Sequence, residues 1–259
     1  MQASIIIPSY GRTEALSRCL KSLREQSVKP YEVIIRKEKG ELATIRNAGA
    51  RAAKGDILVF IDDDTFCTRD WLSNIIQIFE TRDACGGSGP AIILSKHRKN
   101  RDLFRYEKLR DFYDSFFMEG RESLPGHFSR AGTWSTAASE KDCSYDGEVE
   151  FLEACNMSFR RDVFEQFGGF DEAYRGIGDC SEPDLCFRIR VDGGKLWFSK
   201  TAILYHEPSK DGAFKKRASD SPNRMANYLL FSKRWIKPYW KHTLLKLLMR
   251  GYYVFKTFK

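Results

Sequence analysis

Three adjacent carboxylates, Asp62, Asp63 and Asp64, follow the apolar run that ends in Phe60-Ile61. Like charges this close repel one another. At an extended strand end alternate residues share a side, so Asp62 and Asp64 could act together. A divalent cation taking oxygen ligands, Mg2+ or Mn2+, is the simplest compensation, and such an ion keeps positions that substrate phosphates fill. A solvated acidic turn or helix cap fits the same spacing. A second cluster is Ser181-Glu182-Pro183-Asp184-Leu185-Cys186-Phe187-Arg188. Glu182 would open a helix, where the dipole favours an anion, and Asp184 and Arg188 are spaced to pair along one face. A capped amphipathic helix explains this run as well. His206 ends the apolar run Ala202 to Tyr205; it becomes a ligand candidate only if the aspartates lie nearby, and is otherwise a structural histidine.

The elements that would position these groups alternate. Residues 3–8 read as a buried strand, followed by a turn at 9–12 and a helix that Thr13 can cap, with Leu16, Cys19, Leu20 and Leu23 on its apolar face. Strands follow at 32–36 and 56–61, helices at 42–53 and 71–80, and a glycine-bearing β-like stretch at 84–93. Strand-helix alternation of this kind marks a parallel α/β sheet. Ligands in such sheets bind at the C-terminal strand ends, where Pro8-Ser9-Tyr10 and the three aspartates both fall. Residues 96–150 are polar and aromatic, with a helix expected at 103–117 and loops at 119–148. A strand at 151–159, helices at 161–167 and 182–192, a strand at 195–205 and a helical segment over 223–259 with breaks at Pro238 and Gly251 complete the reading.

The chain has 259 residues and a formal net charge of +8. Residues 1–208 carry −3 and residues 209–259 carry +11, so the basic character belongs to the C-terminal fifth. That split suggests a docking device on a neutral body and not a nucleic-acid binder. The last segment mixes Tyr228, Trp235, Tyr239, Trp240, Tyr252, Tyr253, Phe255 and Phe258 with many Lys and Arg, a composition suited to an anionic membrane interface; packing on the body or on a partner subunit is the alternative. No apolar run is long enough for a confident membrane span, and the first residues do not read as a signal peptide. The seven cysteines form no CxxC pair, which suggests free thiols in a reducing compartment.

Six sequence pieces occur in order: Ile5-Ile6-Ile7-Pro8-Ser9-Tyr10-Gly11-Arg12; Arg46-Asn47-Ala48-Gly49 with Lys54-Gly55-Asp56; Phe60-Ile61-Asp62-Asp63-Asp64; Asn156-Met157-Ser158-Phe159-Arg160-Arg161 with Gly168-Gly169-Phe170-Asp171; Glu182-Pro183-Asp184-Leu185; and His206. Together they resemble family 2 glycosyltransferases of the GT-A fold. The resemblance implies a Rossmann-like α/β fold, with a mostly parallel central sheet flanked by helices. Residues 1–208 would be the catalytic domain, 1–95 its nucleotide-binding half and 96–208 its acceptor-binding half, with 209–259 a basic, aromatic helical tail.

The resemblance also implies roles. Pro8, Ser9, Tyr10 and Arg12 would line the nucleotide pocket, and Arg46 and Asn47 would face the nucleotide or its phosphates. Asp62 would lie near the ribose with Asp63 beside it. Asp64 would bind the metal, Mn2+ or Mg2+, with His206 as a second ligand. Glu182 stands where the family has its catalytic base, usually an aspartate. Arg36 follows the second strand where many members carry an acidic turn; it would stack on the base or meet a phosphate, unless it is part of a solvated basic loop. Trp134, Asn156 and Asp184 are substrate-binding candidates. The implied reaction is metal-dependent, inverting transfer from a nucleotide sugar, a UDP-sugar first and a GDP-sugar second, to a hydroxyl of a saccharide or lipid-linked acceptor. The enzyme would be cytoplasmic and peripheral at the inner face of the membrane, touching it through residues 223–259. A nucleotidyltransferase would normally open on a glycine-rich phosphate loop, and residues 8–13 hold only Gly11. A non-enzymatic protein binding through its basic tail would leave the acidic triplet and Glu182 unexplained.

Overall fold

The computed structural model describes residues 1–93, 112, 114–135, 137–208 and 221–257, with side chains undescribed at 114, 221 and 252–257. Strand β1 (Ala3–Pro8) is followed by α1 (Thr13–Arg24), β2 (Glu32–Arg36), α2 (Leu42–Ala52), β3 (Ile57–Ile61), β4 (Thr65–Cys67) and α3 (Trp71–Thr81). Next come β5 (Gly86–Ser88), β6 (Ala91–Ile93), β7 (Gly147–Glu148), β8 (Asn156–Arg160), α4 (Arg161–Gln166), α5 (Ser181–Val191), β9 (Leu196–Phe198) and β10 (Leu204–His206). Two long helices, α6 (Ser221–Trp235) and α7 (Trp240–Thr257), end the chain. The helix expected at 103–117 lies outside the described residues except for its end, where a π-helical turn spans Asp114–Met118.

The main sheet has seven strands in the order β2-β1-β3-β8-β5-β9-β7. Its first half is parallel, β1 pairing with both β2 and β3. Beyond β3 the direction is mixed, because β8 runs antiparallel to β3 and β5 while β9 runs parallel to β5. Alternation along the strands sends side chains to two cores. Ile5, Ile7, Ile57, Val59 and Ile61 face the core made with α1 and α3. Ile6, Leu58 and Phe60 face the other, where Phe60, Phe159, Phe164 and Phe170 pack ring on ring. Gly49 lets α2 settle on β1, since a Cβ there would lie 2.4 Å from Ile6 Cγ2.

Several element expectations are corrected. Thr13 does not cap α1; Arg12 holds the N-cap position and no side chain caps it. The strand expected at 151–159 begins only at Asn156 and runs to Arg160. The expected strand 195–205 is two strands in two sheets. A three-stranded sheet of order β4-β10-β6 stands beside the main one. The Gly89-Pro90 step separates β5 from β6, and the Ser199–Ala202 turn beside it separates β9 from β10. Ser199 N donates to Ser88 O at 2.9 Å and Leu204 N to Pro90 O at 3.0 Å, so both chains leave the first sheet and enter the second together. Gly251 does not interrupt α7, whereas the break around Pro238 is present.

The two C-terminal helices share the core of α2 and α5: Tyr228, Phe231 and Leu245 are buried in it. All seven cysteines are free thiols, five of them buried. Among the described residues no helix is long and apolar enough to cross a membrane.

Candidate active site

The three aspartates sit in the turn that carries β3 out of the main sheet into β4. Asp62 O accepts the Thr65 N–H and hydroxyl, at 3.3 and 2.7 Å, which closes the turn. β10 runs antiparallel to β4 with His206 opposite Thr65. This ladder brings a histidine 142 residues further on to Asp64, its Nε2 3.1 Å from Asp64 Oδ1. Asp62, Asp64 and His206 each offer a ligand atom, and these atoms lie within 4.8 Å of one another. Two carboxylate oxygens and one imidazole nitrogen suit Mn2+ or Mg2+, and the nitrogen favours the former. The structure thus brings Asp62 into the metal-capable group as alternation along the strand end suggested.

Arg12 answers part of the negative charge. Its Nη2 lies 2.5 Å from Asp63 Oδ1 and its Nη1 2.8 Å from Asp64 Oδ2. Burial pushes the Asp63 carboxyl up to about 6, against the Ser9 hydroxyl and Arg12, which favour its ionised form. Burial also works against the His206 imidazolium, but Cys155 and Asp64 outweigh it and hold its pKa well above the ordinary value.

Glu182 opens α5 in its first turn, after Cys180 takes a left-handed conformation at φ +76°. Pro183 is tolerated there because first-turn N–H groups have no helical partner. The Glu182 carboxylate is buried and accepts a hydrogen bond from Arg46 Nη1. Arg46 Nη2 in turn lies 3.5 Å from Asp62 Oδ1 and donates to the Ala154 carbonyl at 3.3 Å. One buried guanidinium therefore bridges the proposed base and the aspartate cluster. Burial raises the Glu182 carboxyl above its ordinary value, and Arg46 opposes that rise.

Pro8 and Arg36 are paired in register at the C-terminal ends of β1 and β2, and Ser9 N donates to Arg36 O at 2.7 Å. Tyr10 beside them is exposed and Arg36 pairs with Glu38. These residues gather at the sheet edge that also carries the aspartates.

Three candidates are placed elsewhere. Asn47 turns away from that edge to hold the Gly169-Phe170 turn: its Oδ1 accepts Phe170 N at 3.0 Å, and its Nδ2 donates to Phe170 O and Glu172. Gly169 is needed there, since its φ is +69° and a Cβ would meet Asn47 Oδ1 at 2.7 Å. Asn156 is fully buried; it accepts from Trp71 Nε1 at 2.8 Å and donates to the carbonyls of Pro90 and Ala202. It ties α3 to the junction of the two sheets. Asp184 pairs with Arg188 as its spacing suggested, and also accepts from Tyr174, Arg234 and Trp235. Both its oxygens are engaged and it is fully buried, so it ties α5 to α6. Trp134 packs on Phe128 and is 40% exposed, and Phe128 packs in turn on Phe187 of α5 and Phe231 of α6.

Arg46 was expected to face the nucleotide or its phosphates; its bridge to Glu182 was not foreseen from the sequence. A signal was present: the buried face of α2 consists of Ala43, Arg46, Asn47, Gly49 and Ala50. An arginine among small residues on an inward face has to find a carboxylate.

A central mixed sheet with this carboxylate run at its parallel end is the GT-A arrangement of glycosyltransferases. Solved structures that share the fold include GalNAc-T7 with UDP, GalNAc and Mn2+, at TM-score 0.62 and 14% identity over 91% of this chain and 48% of that one. Another is the mannosyltransferase PcManGT of Pyrobaculum calidifontis with GDP-Man and Mn2+, at TM-score 0.57 and 16% identity over 97% of this chain and 69% of that one. The glucosyl-dolichyl phosphate glucuronosyltransferase of Haloferax volcanii is 22% identical over 241 residues, 80% of this chain and 69% of that protein. The chain therefore spans from about half to about two thirds of the length of these three proteins. The family model for glycosyl transferase family 2 matches residues 33–168. The chain belongs to glycosyl transferase family 2, and it is a glycosyltransferase.

Proposed function

We propose that the enzyme transfers a sugar from a nucleotide-sugar donor to a hydroxyl of a saccharide or lipid-linked acceptor, with a divalent metal and with inversion. The observation that carries this reading is the Arg46 bridge, which sets a buried carboxylate, Glu182, beside the Asp62, Asp64 and His206 group. Asp62, Asp64 and His206 would hold Mn2+ or Mg2+, and a bound cation there supplies charge neutralisation for the departing nucleotide diphosphate. Pro8, Ser9, Tyr10 and Arg36 would form the floor and rim of the nucleotide pocket, and Arg12 would orient Asp63 and Asp64.

Glu182 would take the acceptor hydroxyl's proton as that oxygen attacks the anomeric carbon from the face opposite the leaving group. One displacement inverts the centre; retention by double displacement would need a second carboxylate as nucleophile. Glutamate does the base chemistry of aspartate with one more methylene of reach. Trp134 offers an aromatic face beside α5 on which an acceptor sugar would pack. The seven free thiols suit a reducing compartment, and a lipid-linked acceptor would place the enzyme at the inner face of the membrane.

The test is thermal shift with a panel of nucleotide sugars, UDP-sugars first and GDP-sugars second, with and without Mn2+, followed by NMR assignment of the product's anomeric configuration. Stabilisation by one donor that needs the metal, and an inverted product, are expected. Metal-independent stabilisation by the same donor, or a retained configuration, would overturn the mechanism.

A further inference from the structure

We propose that the outward face of α7 is a docking surface for an anionic lipid bilayer. The inward face of the helix is settled: His242 and Leu245 are buried, and Met249 packs against the core cluster that includes Tyr228 and Phe231 of α6. The outward face carries Trp240, Leu247 and Leu248, which are 60%, 60% and 54% exposed. Spacings of seven and eight residues place all three on one stripe, with the half-buried Leu244 between them. The stripe does not stop at the helix end. Trp240 meets Phe116 edge-on at 5.8 Å, and Phe116 stacks on Phe112 at 5.5 Å, itself 61% exposed. A contiguous apolar strip of this kind on a globular surface marks an interaction site.

The charge around the strip selects the occupant. Residues 221–259 hold nine Lys and Arg and no Asp or Glu. Lys246 and Arg250 supply positive charge on α7 itself, whereas the Lys241 ammonium, beside the Phe116 and Trp240 rings, is committed to Glu119 at 3.2 Å and to the Phe116 carbonyl at 2.8 Å. A second copy docking through the same face would bring these like charges together. An anionic headgroup layer instead complements them, with tryptophan at the headgroup level and leucines below it. The sequence composition pointed to the whole segment 223–259; among its described side chains the exposed large apolar ones lie on one face of α7, while Tyr228 and Phe231 of α6 are committed to the core, and Tyr252, Tyr253, Phe255 and Phe258 lie outside the described side chains.

The docking helix is braced to the catalytic one. Arg234 and Trp235, at the end of α6, hold Asp184 of α5, the helix that presents Glu182. A bilayer gripping α7 would therefore fix the orientation of the site toward a lipid-linked acceptor. The inference rests on the proposed acceptor only for this purpose, and the binding test needs no turnover.

The experiment is flotation of the full chain with vesicles of phosphatidylcholine alone or mixed with phosphatidylglycerol. Co-flotation with the anionic vesicles only, released by high salt, is expected. The triple variant Trp240→Ser/Leu247→Ser/Leu248→Ser should keep its circular dichroism and melting temperature and bind anionic vesicles roughly tenfold more weakly or worse. The charge reversal Lys246→Glu/Arg250→Glu gives a second readout that leaves the apolar strip intact, and it should lose binding too. A wild-type chain left unbound by anionic vesicles, or both variants floating as well as it does, would overturn the proposal. So would a wild-type dimer in sedimentation that the triple variant dissolves, since a second copy would then cover the face. Failure here alongside retained sugar transfer would refute the docking surface and leave the proposed reaction standing.

Discussion

Arg46 and Glu182 form a buried ion pair across the site, the Arg46 Nη1 donating to Glu182 Oε1, with the two residues 136 apart in sequence. The same guanidinium reaches toward Asp62. A buried carboxylate without such a partner would be held protonated and useless as a base at neutral pH. On the proposed mechanism, the pair would favour the ionised form of Glu182 that a proton acceptor needs, against the burial that opposes it.

Glu182→Gln removes the proton acceptor with little change in shape. Transfer should fall by about 10²–10⁴-fold, the usual worth of a general base, while the donor's thermal shift stays within a degree or so of wild type. Steady-state rates and thermal shift on the same preparation check this. Transfer at wild-type rates would remove Glu182 from the mechanism.

The rate profile should also depend on Arg46. Burial disfavours ionised Glu182 and Arg46 favours it. Without the guanidinium only burial remains, so the carboxyl rises further, and the acidic limb of kcat/KM moves to higher pH. Arg46→Gln should show that shift, and Arg46→Lys, which keeps the charge but not the fork, a smaller one. A lower rate at every pH with an unmoved limb would mean that Arg46 serves the fold alone.

Removing a metal ligand should separate donor binding from folding. Asp64→Ala is expected to abolish the Mn2+-dependent part of the donor's thermal shift and to leave the unliganded protein folded. At a donor concentration one hundred times its Kd, ligand binding to the native state contributes about 2.7 kcal/mol, so the lost shift is measurable. EDTA on the wild-type chain should have the same effect. A full thermal shift in EDTA would argue against the metal.

Much of this arrangement is legible in the amino-acid order because it is local. Ile5 to Ile7 and Ile57 to Ile61 are buried on both faces and read as continuous apolar strands, and the aspartates follow directly on the second of them. What the order conceals is long-range. The direction of Arg46 depends on a carboxylate on another helix. That Asn156 gives both its amide hydrogens to Pro90 and Ala202 and accepts from Trp71 depends on three distant segments. The single apolar run through residue 205 splits between two sheets only because Gly89-Pro90 turns the neighbouring chain at the same level. In α6 and α7 aromatic and basic residues occur on every side, so periodicity does not tell the buried face from the exposed one.

Asn156→Ala tests one such correction. It would leave the Trp71 N–H and the Ala202 carbonyl without this partner, at about 1–3 kcal/mol for each group left unsatisfied, while the Pro90 carbonyl still accepts the Leu204 N–H. A loss of about 2–4 kcal/mol in urea denaturation is expected, with the donor's KM unchanged in the folded fraction. A rise in KM without a loss of stability would return Asn156 to the donor site.

Phe231→Ala asks whether the C-terminal helices are part of the folding unit. The ring is fully buried and packs on Phe128 of the loop region and Phe187 of α5. Truncating a buried phenylalanine costs about 3–5 kcal/mol, set by how far the neighbours close the cavity. Here the neighbours are two rings held by separate elements, Phe128 tilted by 30° and Phe187 edge-on, so little collapse is available and the upper part of that range is expected. The loss should appear in one cooperative transition, because α6 shares its core with the sheet. A separate early transition confined to the last helices, with the main midpoint unmoved, would instead make them an independently melting segment. Glu182, presented by the helix that Phe231 supports through Phe187, should then keep its activity in the variant.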